Sequence, residues 1–298
     1  MNEEIVVPGG ESPKKLENFL KKRFPIGYVR KLFRKNGVRL NGQRPKPDAV
    51  VRPGDRLQLY VPFEKPLKAP TKGISAPQTI FEDAKLIVLD KPAGLAVHEG
   101  KNILKRDTLL GILEARYERA AVVPRLVHRI DQDTSGLLVV AKDQQTAKEL
   151  ESRFEEGRVD KEYLALVVGR LPQSEGRIDF PLPGREGKAV RALTRFRIAK
   201  RFSDTTLVRV TIETGRMHQI RLHFARLGYP VVLDDQYGDF TFNRTFRKAY
   251  ALKRQFLHAA KISLEYAGKK RIWTAPLADD LKRAMAALER GSARRNIF

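Results

Sequence analysis

The sequence predicts an α+β protein, in which a mixed, mostly antiparallel central β-sheet is flanked by helices and a small α/β domain precedes it. Strand-like apolar runs outnumber amphipathic helices along residues 79–298, and the two do not alternate as they would in a doubly wound fold. A stretch rich in proline and lysine separates this region from the N-terminal part. We therefore predict domains at 1–64 and 79–298, joined by a linker at 65–78.

The N-terminal domain is predicted to contain two helices followed by a hairpin. Ser12-Pro13 is typical of a helix start, because proline is favoured at the first helical position. A second helix is predicted over 28–35, with Gly37 placed to adopt the left-handed conformation that ends many helices. A tight turn at Asn41-Gly42 and an alternating strand over 57–61 complete the unit.

The charge of the chain favours a polyanionic partner. Lys and Arg number 58 against 35 Asp and Glu, a formal net charge of +23, and binding to nucleic acid releases counterions for each phosphate neutralised. From Tyr28 to Lys46 seven residues are basic and none is acidic. Most charged helix faces are simply solvated, but this one has a single sign, so we predict contact with RNA. The candidate contacts are Arg30, Lys31, Arg34, Lys35 and Arg39.

The second domain shows several strand-like segments and two helices. Continuous apolar runs at 86–89 and 137–141 are typical of strands buried on both faces. Helical periodicity is present at 146–154 and 277–288. Further strands are predicted at 163–168, 207–212, 256–264 and 270–273.

Composition excludes several kinds of chemistry. The chain has no cysteine, which removes disulfides, thiolate nucleophiles and cysteine-type zinc sites. His218 and His223 are five residues apart rather than the four of a paired helical metal site, so no metal ligand is predicted. No stretch approaches the ~20 apolar residues of a membrane span, and the acidic N-terminus is unlike a signal peptide. We expect a soluble cytoplasmic protein without a membrane partner.

The densest polar cluster of the chain lies at 128–135, between an apolar approach and a predicted buried strand. Gly136 follows it and permits a sharp turn into that strand. Loops beside rigid strands commonly carry catalytic groups. From the residues alone, a polar turn that caps the strand remains the alternative. The cluster consists of His128, Arg129, Asp131, Asp133, Thr134 and Ser135.

The segment from Arg125 to Lys142 resembles the catalytic signature of the RluA-type family of large-ribosomal-subunit pseudouridine synthases, which is close to His-Arg-Leu-Asp-x-x-Thr-Ser-Gly-Leu. Ile130 stands in place of the leucine. Residues 12–61 resemble the RNA-binding domain first seen in ribosomal small-subunit protein four. Four further segments resemble blocks of the same family in the same order, at 82–98, 161–166, 214–223 and 257–259. The resemblance covers nearly the whole chain.

This resemblance implies an isomerase that detaches uracil from C1′ of a uridine and rejoins it through carbon, without a cofactor. Asp131 would be the catalytic carboxylate, attacking C1′ or removing a proton from C2′; the sequence leaves both routes open. Arg221 would pair with Asp131 and keep it ionised and aimed. Tyr163 would stack on the uracil and help remove the proton from C5.

Other residues of these blocks are expected to contact RNA. Leu257 would form an apolar floor for the base. Arg129 would fill the gap left by the flipped uridine, because a guanidinium can stack on bases. The remaining expected contacts are His128, Thr134, Arg216 and His218.

Three alternatives concern substrate and class. Members of the family act on large-subunit ribosomal RNA, transfer RNA or both, and the N-terminal domain favours ribosomal RNA here. A non-catalytic RNA-binding or chaperone protein would use the same basic surface but would not need carboxylates such as Asp131 and Asp133 within it. A nuclease would need clustered carboxylates for a divalent metal.

We expect a monomer.

Overall fold

The computed structural model describes residues 3–8, 12–24, 26–46, 48–60, 76–99, 103–120, 122–184 and 188–295. The chain divides into two compact units, Met1–Pro66 with Asp235–Phe240 and Leu67–Asp234 with Thr241–Phe298. Most of the predicted linker, 65–75, lies outside the described residues, and its last residue, Gln78, begins a strand.

The N-terminal unit contains a three-stranded antiparallel sheet, β1-β5-β3, and a small antiparallel pair of β2 with β4. Two helices cover these strands and bury an apolar core that includes Leu16, Phe19 and Leu32. Its elements are β1 (Glu3–Val6), β2 (Lys14–Lys15), α1 (Leu16–Arg23), α2 (Ile26–Arg34), β3 (Val38–Leu40), β4 (Val50–Val51) and β5 (Arg56–Leu59).

Two details of this unit differ from the sequence prediction. Helix α1 begins at Leu16 and not at Ser12, because Lys14 and Lys15 pair with β4 as a short strand. The left-handed residue after α2 is Asn36, with φ of 52°, and not Gly37. Asparagine tolerates this conformation because its short polar side chain can form local hydrogen bonds. The predicted second helix and the Asn41-Gly42 turn are confirmed, the turn residues having φ of 50° and 82°.

The following part of the chain supplies the large sheet and its helices. Its elements are β6 (Gln78–Glu82), β7 (Leu86–Lys91), α3 (Leu109–Tyr117), β8 (Arg125–Leu126), β9 (Ser135–Ala141), α4 (Gln144–Glu155), β10 (Val159–Val168), β11 (Glu175–Ile178), β12 (Leu182–Pro183), β13 (Ala189–Val190), β14 (Thr194–Arg201), β15 (Thr205–Ile212), α5 (Gln219–Arg226), α6 (Phe240–Tyr250), β16 (Leu257–Tyr266), β17 (Lys269–Thr274) and α7 (Asp279–Arg295).

A ten-stranded mixed sheet forms the centre of this unit. Its strand order is β11-β14-β15-β10-β16-β9-β7-β6, with β17 paired to β16 and β8 paired to β9. The pair β9–β16 is parallel, and the other pairs in the sheet are antiparallel. The predicted α+β class with a mixed, mostly antiparallel sheet is therefore confirmed.

Apolar residues are buried on both faces of the sheet. Along β9, Leu138 and Val140 pack into one core cluster, and Leu137 and Val139 pack into another. Helices α3 and α5 contribute to the first cluster and α4 to the second. Burial on both faces explains why 137–141 is a continuous apolar run and not an alternating one.

The parallel contact between β9 and β16 positions the polar loop at 128–135. Ser135 is opposite His258 and Gly136 is opposite Ala259. Gly136 has φ of 108°, and a Cβ atom there would lie 2.2 Å from the carbonyl oxygen of Ala259. Only glycine allows this close approach. The approach brings the loop beside β16, and β16 in turn pairs with β10. Among the described helices, none is both long and apolar enough to cross a membrane.

Candidate active site

A cleft of about 260 Å³ lies where the polar loop, the end of α4, β10 and the segment before α5 meet. Its lining includes Asp131, Tyr163, Arg221 and Leu257. These four residues come from widely separated parts of the chain. The structure thus places together the side chains for which the sequence predicted roles in catalysis and base contact.

Asp131 forms a direct ion pair with Arg221. Arg221 Nη1 donates a hydrogen bond to Asp131 Oδ2 at 3.0 Å, and the two side chains are 4% and 21% exposed. Burial acts to raise the pKa of Asp131, but the charges of His218 and Arg221 and hydrogen bonds from Arg221 and Gln255 outweigh it, so its pKa lies below the ordinary value. Asp131 is therefore an ionised carboxylate at neutral pH, as required of a nucleophile or a base.

A second carboxylate, Asp234, holds the other side of Arg221. Nε and Nη2 of Arg221 donate to the two oxygens of Asp234 at 2.6 and 2.9 Å, and Asp234 is fully buried. Burial alone would lower the pKa of Arg221. The hydrogen bonds and negative charges of Asp234 and Asp131 outweigh this effect and raise the pKa above its ordinary value, so the guanidinium stays charged. Asp234 was not predicted from the sequence, because no spacing rule connects it to Arg221.

The segment that carries Asp234 is itself fixed by α6. Asn243 Oδ1 accepts a hydrogen bond from the Leu233 backbone N–H at 2.7 Å, and Asn243 Nδ2 donates to the Asp234 carbonyl at 2.9 Å. Leu233 has φ of 60°, which is uncommon for a residue other than glycine. The two hydrogen bonds of Asn243 offset the cost of this conformation, because they pair the Leu233 N–H and the Asp234 carbonyl.

Two buried side chains give the cleft its apolar walls. Tyr163 in β10 is 8% exposed, and Leu257 at the start of β16 is 4% exposed. The register places Tyr163 opposite Ala259, and Leu257 opposite Ala165. Burial, followed by the charge of Asp131, raises the pKa of Tyr163, so its hydroxyl is neutral. A flat aromatic or heterocyclic ring fits chemically between such walls.

His218 lies on the other side of Asp131. Its Nε2 is 3.8 Å from Asp131 Oδ1, and the residue caps α5 with φ of 54°. Burial lowers the pKa of His218, and the opposing effect of Asp131 does not reverse this. His218 and Asp131 are thus coupled, since each affects the pKa of the other.

His128 and Thr134 hold the polar loop in place from within. His128 Nε2 accepts the Val139 backbone N–H at 2.9 Å, and its ring stacks on Phe154 with 4.3 Å between centroids. Burial lowers the pKa of His128 to about 3, so it is neutral. Thr134 is 1% exposed and its Oγ1 accepts from Gln255 Nε2 at 2.8 Å. Both residues also line the cleft.

Arg129 and Arg216 are at the open side of the cleft. Both are exposed and both contribute to its lining. Arg216 Nε donates to the Arg191 carbonyl at 3.2 Å. His223 lies elsewhere, with its ring nitrogens 2.9 Å from Thr194 Oγ1 and 2.9 Å from the Phe180 carbonyl oxygen.

Two buried cations that the sequence analysis missed support the backbone of the loop. Lys91 is fully buried and donates to the carbonyl oxygens of Pro92, Leu95 and Gln132 at 2.9 to 3.0 Å. Arg254 donates to the Asp133 carbonyl at 3.2 Å and to Ser135 Oγ at 3.0 Å. Isolated lysine and arginine residues give no sequence signal for such a role, because it depends on burial.

The basic residues of the N-terminal unit lie on the outer side of α2. Arg30, Arg34 and Lys35 are exposed, whereas Val29 and Leu32 of the same helix are buried. Lys31 and Arg39 are partly exposed. The helix therefore has the predicted arrangement, with its apolar side in the core and its cationic side accessible.

Comparison with known proteins gives one consistent result. Residues 85–226 match the sequence model of the RNA pseudouridylate synthase family. Ribosomal large subunit pseudouridine synthase C of Escherichia coli is 32% identical over 95% of this chain and 96% of its own length. An RNA pseudouridine synthase of Chloroflexus aurantiacus is 37% identical over 96% of this chain and 93% of its own.

A solved structure shows the same fold. The human RNA Pseudouridylate Synthase Domain Containing 4 protein superposes with a TM-score of 0.60 at 24% identity, over 74% of this chain and 94% of its own. The extent of the sequence identity with the bacterial proteins, together with the cleft around Asp131, is decisive for the assignment. This chain belongs to the RluA-type family of RNA pseudouridine synthases.

Proposed function

We propose that this protein converts selected uridines of large-subunit ribosomal RNA to pseudouridine, with Asp131 as the catalytic carboxylate. The supporting observation is the ionised Asp131 held by Arg221 at 3.0 Å in a cleft with apolar walls. The choice of RNA is supported by the name of the Escherichia coli relative, which matches this chain over nearly its full length.

The proposed chemistry follows from the groups that line the cleft. The uridine leaves its stack and its base enters between Tyr163 and Leu257, which costs a few kcal/mol of unstacking. Asp131 then breaks the N1–C1′ bond, either by bonding to C1′ or by taking the proton from C2′. The electron pair of that bond goes to the base. The base turns, and C5 bonds to C1′ as the Asp131–C1′ bond breaks or, on the second route, as the proton returns from Asp131 to C2′. The C5 proton is then lost with help from the Tyr163 hydroxyl, and N1 gains a proton.

Arg129 and Arg216 contact the RNA around the flipped nucleotide in this proposal. Both are exposed at the open side of the cleft, and a guanidinium can stack on the bases left behind. His218 contacts the RNA at the cleft, beside Asp131. His128 and Thr134, which also line the cleft, contact the RNA and hold the loop that carries Asp131.

The N-terminal residues 1–64 form the RNA-binding domain in this proposal, similar to that of ribosomal protein four, and residues 79–298 form the catalytic domain. The support is the one-sided basic surface of α2. Phosphate contacts from such a surface add affinity without reading sequence. We also propose that the protein acts as a monomer in the cytoplasm.

The test is pseudouridine mapping of total RNA by carbodiimide primer extension, in cells that lack the gene. Complementation uses the intact gene, Asp131→Ala, or the control Asp160→Ala, which changes an exposed carboxylate of β10. We expect pseudouridine to be lost from specific large-subunit RNA sites in the deletion strain. It returns with the intact gene and with the control Asp160→Ala, but not with Asp131→Ala. Loss confined to transfer RNA contradicts the proposed substrate, and restoration by Asp131→Ala contradicts the role of Asp131.

A further inference from the structure

Lys161 is a buried ammonium group in the cleft that has no part in the chemistry described so far. The residue is 5% exposed and lines the cleft. Its Nζ is 5.6 Å from the centroid of the Phe154 ring. Within the described parts of the chain, no carboxylate or carbonyl oxygen lies at hydrogen-bond distance from it. A lysine is rarely buried without a partner, so this ammonium is available to a bound molecule.

Lys161 lies two residues before Tyr163 in β10, about 7 Å away along the strand. The pairing of β10 with β16 shifts its register between Glu162 and Tyr163. Lys161 and Tyr163 both line the cleft, so the ammonium group and the aromatic wall belong to one site.

Apolar and aromatic side chains lie near Lys161 in β10 and α4. Val159 packs into the core cluster that α4 covers, and Tyr163 packs into the cluster on the other side. Lys161 lies between them, next to Phe154. Burial lowers the pKa of Lys161 to about 8, which leaves it mostly protonated at neutral pH. In such surroundings a charge interacts more strongly with its partner than it does in water.

We propose that Lys161 is a catalytic residue whose ammonium group donates a hydrogen bond to a carbonyl oxygen of the uracil and stabilises the negative charge of the detached base. This inference rests on the proposed function. When the N1–C1′ bond breaks, its electron pair spreads from N1 onto the ring carbonyl oxygens, where a cation is most effective. Lys161 keeps its proton throughout. The pair is used again when C5 bonds to C1′, after which C5 loses its proton and N1 gains one.

The experiment measures single-turnover conversion of an unmodified transcript of large-subunit ribosomal RNA, with the full-length enzyme in saturating excess, and the Kd for the same RNA. Lys161→Met removes the charge and retains an unbranched stem, Lys161→Gln is a second neutral variant, and Lys161→Arg keeps the charge. The control Lys261→Met removes a charge from β16 opposite Glu162, on the other face of the sheet. Thermal melting compares the folding of all variants.

Both neutral variants slow the single-turnover rate about 100-fold without changing Kd, Lys161→Arg recovers part of the rate, and Lys261→Met behaves as wild type. A raised Kd with a weaker salt dependence and a normal single-turnover rate assigns Lys161 to a phosphate and overturns the proposal. Unchanged rate and Kd assign it a structural role and also overturn it. A wild-type enzyme that forms no pseudouridine contradicts the proposed function instead.

Discussion

Asp234 holds Arg221 by two hydrogen bonds, from Nε at 2.6 Å and from Nη2 at 2.9 Å, and Nη1 reaches Asp131 at 3.0 Å. The planar guanidinium is thus shared between a fully buried carboxylate and one at the cleft. A group fixed in this way needs little reorganisation when charge changes during a reaction. Asp234 is a positioning residue in this arrangement, because it acts on Asp131 through Arg221.

Replacing Asp131 by Asn is expected to abolish pseudouridine formation while the protein stays folded. The amide is nearly the same size but cannot act as nucleophile or base. Primer extension on RNA treated with the purified variant measures the product, and circular dichroism checks the fold. RNA binding at the level of the wild type, with no product, is the expected combination. Product formation at a rate within about tenfold of wild type contradicts the role.

Asp234→Asn is expected to reduce both stability and turnover. The change leaves the buried Arg221 with one charged partner instead of two, and breaking a buried ion pair costs about 3 kcal/mol. The rate of the bound complex falls because Arg221 is less firmly aimed, whereas the Kd for RNA is unchanged. Urea unfolding and single-turnover kinetics measure the two effects. A variant with reduced stability but the wild-type rate limits Asp234 to a role in folding.

The stability difference between wild type and Asp131→Asn is expected to depend on pH below about 4. The pKa of Asp131 is lowered in the folded state, so the unfolded chain, with a pKa near 3.9, takes up the proton first. The contribution of the carboxylate is therefore fully present above that pH and is lost as the pH falls through the folded-state pKa. Urea unfolding at a series of pH values measures it. A difference that grows as the pH falls contradicts the ion pair.

Gly136→Ala is expected to destabilise the fold by about 3 kcal/mol or more and to inactivate the enzyme. The new Cβ meets the Ala259 carbonyl oxygen at 2.2 Å, and the φ of 108° is unfavourable for alanine. The matched control is Gly291→Ala in α7, where a Cβ meets nothing within 4 Å. That substitution is expected to stabilise by up to ~1 kcal/mol. Denaturant unfolding of the two variants distinguishes steric conflict from a general effect of losing glycine.

Removing Arg30 and Arg34 together is expected to weaken RNA binding and to reduce its salt dependence by about one ion for each lost phosphate contact. The single-turnover rate at saturation stays at the wild-type value, because both residues lie in the N-terminal unit. Binding measured from low to moderate salt provides the slope. The control Lys21→Ala removes a lysine of α1 that pairs with Glu17. An unchanged slope contradicts phosphate contact by α2.

The class of fold could be predicted from the sequence, and so could the loop that carries Asp131, the proposed catalytic carboxylate. Burial on both faces of β9 leaves a continuous apolar run at 137–141, and the amphipathic pattern of α4 survives because one side faces solvent. Helix α5 was not predicted, since Gln219, Arg221 and His223 are polar residues on its buried side. Their burial hides the periodicity on which sequence-based prediction of a helix depends.

The assembly of the cleft could not be predicted from the sequence. Asp234 and Arg221 meet because a strained turn at Leu233 is held by Asn243, and neither contact has a signature along the chain. His128 belongs to the same motif as Asp131, yet it anchors the backbone of β9. Lys161 can be recognised as a candidate only in the folded protein, because its ammonium group is buried there without an ion-pair partner among the described residues. These roles depend on distance and desolvation, which are properties of the folded chain and are not written in the local order of its residues.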